Sequence, residues 1–95
     1  MNLLQMEYFQ EVAKTSSITQ AARTLNISQS ALSIMMNKLE AEIGYPLLAK
    51  QGRNISITPY GKKVLHYSYI LLHEMEDIQR EFKELRGEEN EWKLT

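Results

Sequence analysis

The sequence predicts a mainly α-helical fold: three helices, a small β-hairpin and a long fourth helix. Three observations predict it. Apolar residues recur at helical spacing through residues 3–43. Two short extended segments, "LLAK" and "ISIT", flank the turn-forming "QGRN". Val64, Leu71, Ile78 and Leu85 then lie seven apart, with Met75 and Phe82 between them in 4-3 spacing. A chain of 95 residues suits one domain, or one domain plus an extended element.

Each element has a local reason. Leu3, Met6, Phe9 and Ala13 share one side of a first helix over 3–14, which "TSS" ends. Ser17 is a good N-cap, and Gln20 three residues later completes a capping-box pattern. Ile18, Ala21, Ala22 and Leu25 form the apolar side of a short second helix. Asn26 tolerates the left-handed conformation of a sharp turn. Ser28 caps a third helix whose inner side is Leu32, Met36, Leu39 and Ile43, with Met35 beside them. Gly44 stops that helix and Pro46 prevents its continuation. Gly52, Arg53 and Asn54 fall at or near the hairpin tip. Thr58-Pro59 is an N-cap followed by a first-turn proline. From there nothing breaks the helix until about Gly87, and Ser68 alone interrupts its heptad seam.

Composition excludes several classes. There is no cysteine, so disulfides and thiolate metal sites are ruled out. "MNLLQMEYFQEV" lacks the features of a signal peptide, and "VLHYSYILL" is too short and polar to span a bilayer. A cytoplasmic protein with no membrane partner is expected. His66 and His73 share one side of the long helix with Asp77, a pattern more usual at a polar helix surface than in a metal site. No metal or cofactor is expected. Residues 1–63 carry seven Lys/Arg against four Glu, and residues 64–95 four against eight acidic residues. The first part is therefore the one suited to approach a polyanion.

Helix, short helix, tight turn, helix and hairpin is the order of a winged helix-turn-helix, which presents its second motif helix to a major groove. Wheel geometry places Ser30, Ile34 and Asn37 opposite Leu32 and Leu39, with Gln29 and Ser33 flanking at the leading end. Gln and Asn suit adenine edges, serine several bases, and an apolar Ile34 a thymine methyl. Arg53 at the hairpin tip suits a minor groove or phosphate. The expected DNA-binding set is Ser28, Gln29, Ser30, Ser33, Ile34, Asn37 and Arg53. The expected dimerisation set is Val64, Leu71, Met75, Ile78, Phe82 and Leu85. A second apolar side, Leu65, Tyr69 and Leu72, gives the long helix two faces to bury, which favours a dimer.

"SITQAARTLNISQSALSIMMNKLEAEIGYPLLAK" followed by "ITPYG" resembles the N-terminal DNA-binding domain of bacterial LysR-type transcriptional regulators, over residues 3 to about 87. The resemblance implies a winged helix-turn-helix and a linker helix that pairs antiparallel with its twin. It also implies DNA contacts at Gln29, Ser30, Ser33 and Ile34 and, in the wing, Arg53. This chain departs from the pattern at Ser30, where proline is frequent, and at Ile34, where arginine is. Leu48 and Lys50 stand where Phe and Arg are common, and Lys50 lacks Arg's two-pronged contacts.

The expected organisation is a DNA-binding domain over 1–58 and a linker and dimerisation helix over 59–87. Residues 88–95 are expected to be a flexible tail or the start of a missing effector-binding domain. Family chains are roughly three times as long, so the chain reads as a fragment, with a naturally short regulator as the alternative; a homodimer is expected, or a tetramer at full length. Any small-molecule effector would bind the absent C-terminal domain. The expected function is sequence-specific binding of double-stranded DNA, with helix 28–43 in the major groove and wing 51–55 on the adjacent minor groove or backbone. No enzyme is expected, because no nucleophile, base or metal set converges. A winged-helix protein-interaction or assembly module without DNA binding is the alternative.

Overall fold

Four helices and one hairpin follow one another in the computed structural model, which describes residues 1–87. They are α1 (Leu3–Thr15), α2 (Ile18–Leu25), α3 (Gln29–Ile43), β1 (Leu48–Gln51), β2 (Asn54–Ile57) and α4 (Pro59–Gly87). This is the mainly helical winged helix-turn-helix that the sequence predicts. The expectation for residues 88–95 lies outside the described residues.

The caps explain where the helices begin and end. Ser17 Oγ accepts from the Gln20 N–H at 3.2 Å, and Ser28 Oγ accepts from the Ala31 N–H at 3.0 Å. The reciprocal capping box forms at α1 instead of α2: Asn2 Oδ1 accepts from Gln5 N–H, and Gln5 Oε1 accepts from Asn2 N–H. Asn26 is left-handed at φ 57°, and the Ile27 N–H returns to the Ala22 carbonyl at 3.0 Å. The α2–α3 turn is thereby closed by backbone bonds as well as by packing.

Phe9, Val12, Ala21, Ala22, Leu32, Met36, Leu39 and Leu47 form the core. The inner face of α1 is rotated from the expected one. Gln5, Met6, Phe9 and Val12 are buried, while Leu3 and Ala13 are half-buried. On α3 the expected face is inside: Leu32, Met36 and Leu39 are buried, and Ile43 and Met35 pack on their margin. Ala21 and Ala22 are buried where α2 crosses its neighbours. A larger side chain there would overpack the crossing.

The hairpin pairs Leu48 with Ile57 and Gln51 with Asn54, leaving Gly52 and Arg53 as a two-residue turn. Gly52 has φ 64° and Arg53 is not among the positive-φ residues, which is the II′ requirement. Leu47, expected in the first strand, instead precedes it and is fully buried.

The start of α4 is fixed by "TPYG". Thr58 Oγ1 accepts from the Gly61 N–H at 3.0 Å and donates to the Pro46 carbonyl at 2.6 Å. Tyr60 stacks on Tyr45 with ring centroids 4.6 Å apart. A Cβ on Gly61 would overlap the Leu47 carbonyl and the Ile57 side chain. Glycine is required there by close approach of helix to backbone. The 29 residues of α4 run about 43 Å at 1.5 Å per residue, and the molecule measures 59 × 26 × 20 Å.

Candidate nucleic-acid interface

The buried stripe of α3 dictates what the helix shows outward. With Leu32, Met36 and Leu39 inside, a step of 100° per residue turns Ser30, Ile34, Asn37 and Ala41 to the opposite side. Ser28, Gln29, Ser30, Ile34 and Asn37 are all exposed. Ser33 is half-buried and faces the hairpin, in a groove shared with Ile18, Asn37, Lys50 and Ile55. The oxygen of Ser28 is engaged as a cap, which leaves its O–H free to donate. Ser30, Ile34 and Asn37 therefore share the outward face, Ser28 and Gln29 stand exposed at the helix's leading end, and Ser33 and Arg53 lie off that face, towards and on the hairpin.

Arg53 sits on the hairpin turn and is exposed. Lys50 is exposed beside Ser33 and Asn37, and Lys38 is exposed on the flank towards α1. Among the described residues none of these three cations has an ion-pair partner. A face of amides, hydroxyls and unpaired cations suits a hydrated polyanion whose edges carry donors and acceptors.

Glu40 is the residue that sequence reasoning missed. Its Oε2 accepts from the Leu47 N–H at 2.8 Å and the Leu48 N–H at 3.3 Å. A charge-assisted pair of bonds thus ties the outward helix to the first wing strand. The Ile55 N–H donates to the Ser16 carbonyl at 3.2 Å, which fixes the second strand to the α1–α2 turn. Helix and wing are held as one unit. The sequence signal, a Glu one residue after Leu39, is common on any helix surface.

The long helix has two distinct halves. Val64 and Leu65 pack against the domain core, so Val64 is engaged within its own chain. Ser68, the break in the seam, is fully buried; it accepts from Gln10 Nε2 at 2.9 Å and donates to the Leu65 carbonyl at 2.7 Å. Beyond it Leu71, Met75, Ile78, Phe82 and Leu85 are exposed by 44, 41, 49, 66 and 54%. On the second side Leu72 is half-buried, while Tyr69 is exposed. His73 Nδ1 lies 3.4 Å from Asp77 Oδ2, and Arg80 Nη1 lies 2.9 Å from Asp77 Oδ1. No three candidate ligands gather for a metal among the described residues. No helix among them is long and apolar enough to cross a membrane.

Comparison with known proteins agrees with this geometry. Residues 3–62 match the family described as bacterial regulatory helix-turn-helix protein, lysR family. The RuBisCO operon transcriptional regulator of Allochromatium vinosum is 33% identical over 92% of the chain and 29% of its own length. The probable cat1 operon transcriptional activator of Acinetobacter lwoffii is 38% identical over 83% of the chain and 26% of its own length. The chain therefore spans less than a third of these relatives. Among solved structures, the BenM DNA-binding domain in complex with benA site 1 DNA superposes with TM-score 0.85 at 33% identity, covering 90% of this chain and 99% of that one. The DNA-binding domain of CbnR, also in a DNA complex, gives 0.77 at 31% identity, covering 92% and 97%.

Proposed function

The chain belongs to the lysR family of bacterial regulatory helix-turn-helix proteins, and we propose that it binds double-stranded DNA sequence-specifically as the DNA-binding part of a transcriptional regulator. In this reading α3 lies in the major groove, and Gln29, Ser30, Ser33, Ile34 and Asn37 meet base edges. Ser28 donates to a phosphate at the helix start, and Arg53 reaches the neighbouring minor groove or backbone. The observation that carries the reading is the exposure of Ser30, Ile34 and Asn37 on the side of α3 opposite its core stripe, with Gln29 exposed at its leading end. Solved DNA complexes of similar domains support it.

Two copies associate through the outer half of α4. Leu71, Met75, Ile78, Phe82 and Leu85 are the seam, exposed in the single chain. A cleft of about 530 Å³ between α1 and α4, lined in part by Gln10, Leu72 and Met75, offers further surface to the partner's helix. A two-fold dimer places two recognition helices for two half-sites. The Allochromatium vinosum relative is longer than this chain, which spans 29% of it.

The test is a titration of the chain with duplex DNA at several salt concentrations. Phosphate neutralisation releases counterions, so affinity falls steeply with salt. Salt-insensitive association with protein, with no duplex binding, contradicts the reading and favours an assembly module.

A further inference from the structure

We infer that Ile34 reads the C5-methyl group of a pyrimidine in the major groove, so that this chain selects a half-site with thymine, or 5-methylcytosine, at one fixed position. The inference rests on the proposed docking of α3. Residues 29–37, "QSALSIMMN", contain no charged side chain. The leading part of the helix therefore lacks the Arg or Lys that most often selects guanine. Lys38 follows on the flank facing α1 rather than on the outward stripe. Discrimination there falls to amides, hydroxyls and one apolar group.

That apolar group is Ile34, 56% exposed and the one large hydrophobic side chain that the described residues of α3 leave exposed. It sits midway between Ser30 and Asn37 on the outward stripe. It also borders Leu4 and Ala31 in a shallow cleft, so the apolar surface exceeds a single side chain. Of the groups a base pair presents in the major groove, the pyrimidine C5-methyl is the apolar one. An isoleucine facing the groove desolvates polar edges without replacing their hydrogen bonds. Only beside a methyl does it gain contact area without that loss.

The experiment begins with duplexes selected by the chain from a random pool. Each thymine is then replaced by deoxyuridine, which removes only the methyl. One position in each half-site should lose about 3- to 10-fold in affinity, the scale of one buried methyl. With Ile34→Ala that loss should vanish while the salt slope stays unchanged, because no charge is involved. Ile34→Val should keep most of it. At the same position a 5-methylcytosine·guanine pair should bind more tightly than an unmethylated one by a similar factor, which separates the methyl from the rest of thymine. If wild-type protein tolerates deoxyuridine everywhere yet still prefers the selected duplex, the inference is overturned and DNA binding stands. If no duplex is enriched, the docking reading fails and takes the inference with it.

Discussion

Helix α3 and the outer half of α4 are both amphipathic helices with a face left uncovered, and the two faces differ in kind. The outward stripe of α3 is Ser30, Ile34, Asn37 and Ala41, uncharged throughout and half of it polar. The outward seam of α4 is Leu71, Met75, Ile78, Phe82 and Leu85, all apolar and 41 to 66% exposed. A polar face stays hydrated until a partner replaces its water bond for bond, whereas exposing a contiguous apolar face to water costs free energy that apolar cover relieves. In the proposed reading the difference divides the work of one small chain: α3 meets a wet partner and α4 a dry one. Gly61 and the Thr58 cap join α4 to the hairpin and the segment before it.

The sharpest way to break this division is on α4. Replacing both Leu71 and Ile78 with Glu should convert dimers to monomers in sedimentation, while circular dichroism remains helical. Unchanged dimer mass removes the seam from the interface. Next comes the joint: Gly61→Ala should destabilise the domain by about 2–3 kcal/mol in urea unfolding, because a methyl must displace the Leu47 carbonyl and Ile57. Wild-type stability in that variant would mean that α4 does not approach the wing so closely.

Smaller effects are expected on the DNA side. Glu40→Ala leaves the Leu47 and Leu48 N–H groups without their carboxylate and should cost about 1–3 kcal/mol of stability. It should also loosen the wing, so hydrogen exchange at residues 47–57 should rise more than in α1. Gln29→Ala should lose roughly 1–3 kcal/mol on a selected duplex and little on unrelated DNA. Equal loss on every sequence would assign Gln29 to phosphate. Arg53→Ala should weaken binding to all duplexes and lower the salt slope by about one; an unchanged slope takes Arg53 off the backbone.

Much of this was legible because it is written in local chemistry. Asn26 and Gly44 occupy the left-handed turns their types favour, Ser17, Ser28 and Thr58 cap the helices they precede, and the α3 stripe follows from spacing alone. What escaped depends on which elements meet. Val12 is core only because α1 is turned by its neighbours, and Leu47 is core because the segment before β1 runs under α4. Ser68 interrupts a heptad as sequence, yet in space it hydrogen-bonds Gln10, 58 residues away. Val64 shares the periodicity of the seam but packs on its own core, since periodicity shows a face without saying what covers it. Glu40 had only an unspecific signal, because its partners are backbone N–H groups seven and eight residues on.

Amide chemical-shift mapping during titration of the 95-residue chain with a selected duplex addresses DNA docking most directly. The largest changes should fall on residues 28–37 and on 51–54, with 71–85 little perturbed. Changes centred on 71–85, with the recognition helix silent, would contradict the account.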